Sequence, residues 1–411
     1  MQKKIAIIGC GAAGMMAAIT ASKKGAAVTI YEHSKPGKKI LSTGNGKCNL
    51  TNEDMKDEYF YTHSPERLHT CLSKFGKEET KAFFDDIGLL LKEKNGYYYP
   101  LSEQAAMVQQ ILINELTSQK VVIIYDSIVE IIPCNEKKNG KYCKIITDKE
   151  ATIYDAVIIA CGSKASPKTG SDGSGYEFAK QLGHKLIPVL PSLVQLRCKD
   201  TYCKDLAGIR TEANIHIVCE NKELCCEYGE LQLTDYGISG IPVFQLSGKV
   251  NRYLYQNKKA QLSAHIDFLP SLNEKEWTEL IEKRLIKFQN STIERLFCGI
   301  LNQKLMNVFI KNAHLRSDDL VKISNRNKLL QVFSQCRDFV FHIEGSNGFE
   351  QAQVCTGGVD LNEVTDELES IYAPNIYFAG EILDVDGRCG GYNLQWAWTS
   401  GFIAGEAAAK R

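Results

Sequence analysis

Residues 5–32 read IAIIGCGAAGMMAAITASKKGAAVTIYE, and this stretch decides the fold of the chain. An apolar strand runs into the pattern G-x-G-x-x-G, an alanine-rich helix follows, and a second strand ends in an acid. This order of elements is the dinucleotide-binding fingerprint in the context that it requires. A βαβ unit that binds no nucleotide is the alternative interpretation of the same pattern.

The glycines and the acid of this fingerprint have separate predicted roles. Gly9 permits the tight turn out of the strand, Gly11 lets the backbone approach a pyrophosphate, and Gly14 allows helix and strand to pack closely. The pyrophosphate is expected on the amide groups at the positive end of the helix. Glu32 is placed to accept hydrogen bonds from an adenosine ribose. The motif does not by itself separate FAD from NAD.

The composition narrows the class of protein. A chain of 411 residues is expected to form two or three domains. Lys+Arg and Asp+Glu are equal at 49, so no overall basic field favours nucleic acid or anionic membranes. No secretory signal or long apolar run is visible, which predicts a cytoplasmic protein without a membrane span. The 15 cysteines form no C-x-x-C pair and the eight histidines are isolated, which predicts reduced cysteines and no metal site.

The pattern of residues predicts an inserted-domain architecture. Helices are expected over 65–87, 102–119, 274–288 with Asn273 as N-cap, 302–312, 318–331 and 392–409. Strands are expected over 97–100, 121–132, 142–147 and 155–161, with a turn at 137–140. Short alternating strands with few helices dominate 192–268. We therefore predict a nucleotide-binding domain at 1–190 and 346–411, a β-rich substrate domain at 191–270 and 332–345, and a helical subdomain at 271–331.

Two further glycine-rich segments are predicted to carry chemistry, over residues 37–52 and 376–393. In the second of these, a short strand ends in Gly380-Glu381, whose carboxylate can bind ribityl or ribose hydroxyls. Gly390-Gly391 then leads into the last helix. The start of a helix aimed at a flavin stabilises the negative charge that develops on N1 and O2 upon reduction. A plain turn before a helix is the alternative interpretation.

These segments carry a resemblance to a known family. Together with residues 157–176, 191–194, 234–247 and 380–405, they make the chain similar to the two-dinucleotide-binding-domain flavoproteins. More narrowly, the chain resembles the aminoacetone-oxidase-like family, which also contains bile-acid Δ4/Δ6 reductases and many proteins of unknown substrate. The resemblance spans the whole chain. It implies an α/β fold, in which a Rossmann-like FAD-binding domain holds an inserted β-barrel-like module and a helical subdomain, and FAD bound without a covalent link.

The fingerprint and the resemblance together indicate which positions contact FAD. Val129 is included because flavoproteins of this class often use strand-backbone contacts near the adenine. Lys47 stands where the family usually has Arg, which would turn a bidentate contact into a point charge. Asp235 and Ile241 stand where many members have His and Pro. The predicted FAD contacts are Gly9, Gly11, Ala12, Ala13, Gly14, Glu32, Lys39, Ser42, Gly44, Asn45, Gly46, Lys47, Cys48, Val129, Gly162, Gly380, Glu381, Asp386, Gly391, Tyr392 and Asn393.

Four residues are candidates for chemistry beyond cofactor binding. Tyr236 and Tyr392 could donate a proton to carbon. Cys48 could place a thiolate near the flavin. Arg388 could clamp a substrate carboxylate. Structural packing is the competing interpretation of each, so the catalytic acid or base stays open.

The predicted activity is that of an FAD-dependent oxidoreductase. We favour an NAD(P)H-linked reductase or dehydrogenase acting on C=C or similar bonds of a small or steroid-like substrate that the inserted module selects. The chain has no second complete fingerprint, so NAD(P)H would dock transiently. An O2-using amine oxidase of the aminoacetone type is one alternative, and a flavin-bearing RNA-modifying or redox-sensing protein is another. Substrate identity, electron donor and oligomeric state stay open.

Overall fold

The computed structural model describes residues 2–136 and 140–410. Residues 137–139, where the sequence predicts a turn, lie outside the described residues. The chain divides into two compact units, Met1–Pro191 with Phe349–Arg411, and Ser192–Gly348. The three-part domain boundaries given above stay a prediction. Among the described helices, none combines the length and the apolar character that crossing a bilayer requires.

The helices and strands are numbered in chain order. The helices are α1 (Ala12–Lys23), α2 (Pro65–Lys74), α3 (Lys77–Asp86), α4 (Ala105–Ser118), α5 (Ser174–Gln181), α6 (Cys203–Leu206), α7 (Ile241–Gln256), α8 (Glu274–Lys287), α9 (Ile293–Phe297), α10 (Gln303–Asn312), α11 (Arg326–Gln335) and α12 (Tyr392–Lys410). The strands are β1 (Lys4–Ile8), β2 (Ala27–Glu32), β3 (Thr51–Asn52), β4 (Phe60–Tyr61), β5 (Leu91–Lys94), β6 (Tyr97–Pro100), β7 (Val122–Tyr125), β8 (Ile128–Glu136), β9 (Gly140–Thr147), β10 (Ala151–Tyr154), β11 (Ala156–Ile159), β12 (Leu186–Ser192), β13 (Leu196–Cys198), β14 (Arg210–Cys219), β15 (Lys222–Thr234), β16 (Gly237–Ser239), β17 (Leu262–Asp267), β18 (Phe339–Ser346), β19 (Val354–Val359), β20 (Ile376–Phe378) and β21 (Asp386–Gly387).

The first unit is built on a parallel sheet with the strand order β20-β11-β1-β2-β7. Ile7 of β1 lies between Ile158 of β11 and Ile30 of β2, and all three side chains are fully buried. Every residue of β11 is buried, as the continuous apolar run predicts for a strand covered on both faces. The Rossmann-like α/β fold predicted from the sequence is confirmed.

Helices α1 and α12 of this unit pack in direct backbone contact. A Cβ at Gly401 would lie 2.5 Å from the carbonyl oxygen of Ala13, and one at Gly405 would lie 2.5 Å from that of Ala17. Only glycine allows this approach, because a side chain would collide with main-chain atoms that cannot move away. The C-terminal helix is thereby fixed against the helix of the fingerprint.

The second unit contains a closed antiparallel barrel with the strand order β13-β16-β15-β14-β17-β18. Along β14, Ala213, Ile215, Ile217 and Cys219 are buried and alternate with more exposed residues, which is the expected period of two. Helices α8 to α11 share one hydrophobic cluster with the barrel, and the rings of Phe309 and Phe339 lie 4.7 Å apart. The barrel module and the helices predicted from the sequence are confirmed as parts of the fold.

Several local predictions need correction. The helix expected over 65–87 is two helices, because Gly76 interrupts it and serves as the N-cap of α3. The strand expected over 121–132 is divided between β7 and β8. The last helix before β18 begins at Arg326 rather than near 318. Helix α7 was not predicted from the sequence; its second residue is Pro242, a residue that helices tolerate in the first turn.

Candidate cofactor and active site

The turn between β1 and α1 leaves no room for side chains at two of its glycines. Gly9 has a φ of +100°, and a Cβ there would lie 2.5 Å from the carbonyl oxygen of Ala160. A Cβ at Gly14 would lie only 2.0 Å from the carbonyl oxygen of Gly9. Contacts this short with backbone atoms exclude alanine. The geometry therefore agrees with the roles of tight turn and close helix–strand packing.

Gly11 differs from both because space surrounds it. A Cβ at this position would meet none of the described atoms within 4 Å. Gly11 is the extended N-cap residue of α1, and no side chain in the described part of the chain caps this helix start. The first amide groups of a helix lack intrahelical acceptors and carry a partial positive charge. Open space next to such donors fits the diphosphate of a dinucleotide.

Glu32 lies at the end of β2 and next to this turn. Its Oε2 accepts a hydrogen bond from the Cys10 amide at 2.8 Å. Its Oε1 accepts bonds from the amide and hydroxyl of Ser34, at 2.8 and 3.0 Å. A carboxylate offers about four acceptor sites. These three bonds fix its orientation and leave capacity for a ribose hydroxyl.

The second glycine-rich segment joins the fingerprint through its backbone. The amide of Gly37 donates to the carbonyl oxygen of Cys10 at 2.7 Å. Further along, Gly44, Asn45 and Gly46 are consecutive residues with φ of 55°, 53° and 83°, and all three are exposed. This stretch is therefore open to a ligand, as is the exposed residue Ser42 before it.

Lys47 and Cys48 end this stretch in different environments. The Lys47 ammonium pairs with Glu103 at 2.9 Å, and Glu103 also pairs with Lys92 at 2.6 Å. These two lysines lower the pKa of Glu103 to about 2. Cys48 is fully buried, and burial raises its pKa to about 12. It is a neutral thiol near neutral pH, which favours packing over the thiolate role.

The third segment meets the second at an ion pair. Lys39 Nζ lies 2.9 and 2.6 Å from the two carboxylate oxygens of Glu381. The hydroxyl of Ser163 donates to Glu381 Oε2 at 2.9 Å. These three residues come from three distant parts of the chain. The Glu381 carboxylate is held in place by both partners.

The ends of β20 and β11 also depend on glycine. Gly380 has a φ of +82°, and a Cβ there would lie 2.8 Å from the Ala13 methyl group. Its amide donates to the Ser400 hydroxyl at 2.8 Å, and its carbonyl accepts from Trp396 Nε1 at 3.1 Å. Gly162 after β11 has a φ of +75°, with Ser171 Oγ 2.6 Å from the Cβ position. Helix α12 therefore anchors one of the two predicted contacts.

The start of α12 is locked to the second segment. The side chain of Asn393 accepts from the Gly387 amide at 2.9 Å and donates to the Gly387 carbonyl at 2.8 Å. Asn52 Nδ2 donates to the carbonyl of Gly390 at 2.9 Å. Gly391 has a φ of +100°, and a Cβ there would lie 2.7 Å from the backbone of Thr51. Asp386 pairs with Tyr61 across β21 and β4 in the same region.

The candidate chemical residues Tyr392 and Arg388 both contact neighbouring aromatic or backbone groups. The hydroxyl of Tyr392 donates to the Asp54 carbonyl at 2.9 Å, and burial raises its pKa to about 12. Its ring makes edge contacts with Tyr59 and Phe60. The Arg388 guanidinium lies 5.2 Å from the centre of the Tyr59 ring. These contacts favour structural roles, and the catalytic roles stay predictions.

Two predicted residues belong to other elements of the chain. Val129 is an exposed residue of β8, in a three-stranded antiparallel sheet with β9 and β10. Tyr236 belongs to the second unit, in the turn between β15 and β16. Its ring lies 5.7 Å from the guanidinium carbon of Arg197. Ala12 and Ala13 form the first turn of α1, beside Gly11.

His63, which contacts Asp384, was not predicted from the sequence as a site residue. The Asp384 carboxylate is fully buried, and its Oδ2 accepts from the backbone amide of His63 at 2.9 Å and from His63 Nδ1 at 2.8 Å. Burial raises the pKa of Asp384. The imidazole is 40% exposed, and its Nε2 lies 3.4 Å from the Tyr61 hydroxyl. This pair can hold or move a proton, and no spacing in the sequence indicates it because 321 residues separate the partners.

Taken together, the three glycine-rich segments converge in the first unit around a free helix start, a fixed carboxylate and an exposed left-handed loop. Amide donors for a diphosphate, a carboxylate acceptor for hydroxyl groups and an accessible loop together fit an extended FAD molecule. Comparison with known proteins agrees. Residues 3–407 match the family described as HI0933-like protein Rossmann domain.

Three relatives match over nearly the whole chain, one named a reductase and two named dihydrouridine synthases. The chain is 42% identical to the 3-dehydro-bile acid delta(4,6)-reductase of Clostridium scindens, over 99% of each chain. It is 29% identical to the ribosomal RNA dihydrouridine synthase of Haemophilus influenzae over 96% of each chain. It is 27% identical to that of Escherichia coli, over 97% of this chain and 96% of the other. The chain belongs to the HI0933-like family, as its resemblance predicted, and is an FAD-dependent oxidoreductase.

Proposed function

We propose that the protein is an NAD(P)H-linked reductase that saturates C=C bonds of a steroid-like substrate with non-covalently bound FAD. The observation that carries this proposal is the 42% identity, over 99% of both chains, to a protein named 3-dehydro-bile acid delta(4,6)-reductase. The alignment spans all three glycine-rich segments, since it covers 99% of both chains. An unsaturated steroid is therefore the first substrate to test.

The described residues of the first unit can be given roles in this reaction. Bound FAD would supply the hydride chemistry. The amides at the start of α1 next to Gly11 bind the diphosphate, and Glu32 accepts from the adenosine ribose. Glu381, oriented by Lys39 and Ser163, accepts from the ribityl hydroxyls. The start of α12, held by Asn393, stabilises negative charge on the flavin ring.

The electron donor is proposed to be NADH or NADPH. The sequence has one complete G-x-G-x-x-G fingerprint, which the FAD would use. A nicotinamide nucleotide would then bind transiently, reduce the flavin and leave before the unsaturated substrate is reduced. Such a two-step cycle separates into half-reactions that can be measured one at a time.

Anaerobic half-reactions test this proposal. The purified protein is mixed with NADH or NADPH without oxygen, and then with a 3-oxo-4,6-diene steroid. We expect the flavin absorbance to bleach with one of the nucleotides and to return when the steroid is added, with a product that has lost a C=C bond. Return of the absorbance only when air is admitted, with peroxide formed and an amine as the better reductant, would indicate the amine oxidase instead.

Reduction of an RNA base is the second candidate function. It is favoured by two relatives, at 29% and 27% identity, that are named ribosomal RNA dihydrouridine synthases. The net charge of zero favours a small molecule, because RNA binding draws on clustered Lys and Arg. Reduced protein is therefore also mixed with ribosomal RNA. Formation of dihydrouridine, together with salt-dependent RNA binding, would support this candidate against the steroid.

A further inference from the structure

A β-bulge in the barrel brings three potential metal ligands onto one face. In the pairing of β14 with β15, His216 lies opposite Cys226 and Ile217 opposite Cys225, but Val218 lies opposite Glu223. Leu224 is the extra residue of the bulge. Residues three apart in a regular strand point to opposite faces. The bulge removes this difference, so Glu223 and Cys226 share the outer face with His216.

The three side chains are already close. The Glu223 carboxylate lies 2.7 Å from His216 Nδ1. One ligand atom from each of His216, Glu223 and Cys226 lies within 4.8 Å of the others. The hydrogen bond from His216 lowers the pKa of Glu223, while burial and then Glu223 raise the pKa of Cys226. The cluster lies at the surface, with His216 half-buried and both partners exposed.

We propose that His216, Glu223 and Cys226 form a binding site for a divalent metal ion, with Zn²⁺ as the preferred ion. Nitrogen, oxygen and thiolate sulfur are the donors that Zn²⁺ takes in proteins. One neutral imidazole, one carboxylate and one thiolate would balance the two charges of the ion. Binding would release the thiol proton of Cys226.

The geometry asks for a small adjustment. Tetrahedral Zn²⁺ holds its ligand atoms roughly 3.5 Å apart, given metal–ligand bonds of about 2.0–2.3 Å. The 2.7 Å contact between His216 and Glu223 must therefore open by about 1 Å, which the exposed Glu223 side chain can do by rotation. A water molecule would complete the coordination. The ion would bind residues of both β14 and β15 and so stabilise the β14–β15 hairpin near its turn.

The chain offers matched controls for a test. Cys225 is adjacent to Cys226 but lies opposite the buried Ile217 and packs against the barrel core. Cys298 is exposed, like Cys226, but lies just after α9. Cys225→Ser and Cys298→Ser therefore remove a thiol without removing a proposed ligand. Glu223→Gln keeps the shape of an exposed side chain and removes its charge.

The test titrates FAD-loaded protein with Zn²⁺ against a chromophoric chelator. We expect the unmodified protein to take one Zn²⁺ per chain, and Cys226→Ser, His216→Ala and Glu223→Gln to weaken binding by about tenfold or more. Both control variants should bind as the unmodified protein does. With Co²⁺ in place of Zn²⁺, a thiolate charge-transfer band should appear and be lost in Cys226→Ser.

Two outcomes would overturn the proposal. One is the absence of stoichiometric Zn²⁺ binding by the unmodified protein. The other is unchanged binding in Cys226→Ser, which would place the ion elsewhere. Flavin reduction is not part of any readout, so the result does not depend on the proposed reductase activity. The flavin absorbance and melting temperature of each variant confirm that it is folded.

Discussion

The glycine turn of the first unit and the β14–β15 hairpin of the second unit build their candidate sites in different ways. At the turn, Gly9 and Gly14 are required because any side chain would collide with fixed backbone atoms. At the hairpin, His216 and Glu223 share a face because one bulge changes the strand register. Because a steric requirement can be met only by glycine, it is visible in the sequence as a regular spacing of glycines. A change of strand register produces no such motif, so only the structure shows that His216 and Glu223 share a face.

The largest effect is expected at Gly14. Alanine there would place a Cβ 2.0 Å from the Gly9 carbonyl oxygen and force α1 away from β1. We expect Gly14→Ala to lower the free energy of unfolding by about 3 kcal/mol. Urea unfolding of the FAD-free protein measures this loss.

Gly25 provides the control for this prediction. Unlike Gly14, it has a positive φ, of 92°, and a Cβ there would meet none of the described atoms within 4 Å. Asn tolerates the left-handed region, so Gly25→Asn should cost only about 1 kcal/mol. An equal or smaller loss in Gly14→Ala would show that the collision with the Gly9 carbonyl oxygen does not set the requirement for glycine there.

The next effect concerns ligand affinity rather than stability. Gly11 has the open space that Gly14 lacks, and its extended backbone accepts a branched side chain. We expect Gly11→Val to change the free energy of unfolding by less than about 1 kcal/mol and to weaken FAD binding by about tenfold or more, that is about 1.4 kcal/mol. Titration of the apoprotein with FAD measures the affinity. Unchanged affinity would remove Gly11 from the proposed diphosphate site.

Gly14 and Gly11 belong to a motif, and motifs and local patterns are the parts of the molecule that can be predicted from sequence. The parallel sheet, the β-rich character of the inserted module and the role of Asn273, whose side chain accepts from the amide of Glu276, follow from local patterns. The convergence of three glycine-rich segments follows from a family resemblance. Each of these depends on residues that are close together in the chain or that recur as a motif.

Contacts between distant residues could not be predicted in this way. His63 and Asp384 meet across 321 residues, and neither position has a distinctive spacing. The packing of α1 on α12 depends on Gly401 and Gly405. Their four-residue spacing is visible in the sequence, but the spacing does not indicate that α1 is the helix they contact. The hydrogen bond from Tyr392 to the Asp54 carbonyl is also a contact between distant residues. It favours packing over proton transfer, and the sequence did not predict it.

A smaller effect is expected from a buried histidine of the first unit. His184 is 4% exposed, its Nε2 lies 2.7 Å from the Ser370 hydroxyl, and burial lowers its pKa. Below the ordinary value of 6.5, the unfolded chain therefore takes up a proton before the folded chain does. The free energy of unfolding should fall as the pH drops below that value and level off below the folded pKa.

Comparing variants isolates this contribution. Urea unfolding between about pH 7 and pH 5 should show a shallower pH dependence in His184→Gln than in the unmodified protein. His314 of the second unit is exposed and has a φ of 54°, which Asn tolerates, so His314→Asn is the control. A slope that changes only in the control would contradict the role of burial at His184.

The smallest expected effect is a difference in alkylation rate between cysteines of the two units. The exposed cysteines among the described residues, Cys226 and Cys298, lie in the second unit, whereas Cys48 of the first unit is buried with a pKa of about 12. Because alkylation needs an accessible thiolate, iodoacetamide should label Cys226 and Cys298 well before Cys48. Peptide mass spectrometry over time measures the order. Early labelling of Cys48 would restore it as a reactive thiol beside the flavin, and protection of Cys226 but not Cys298 by Zn²⁺ would tie the hairpin cluster to the metal.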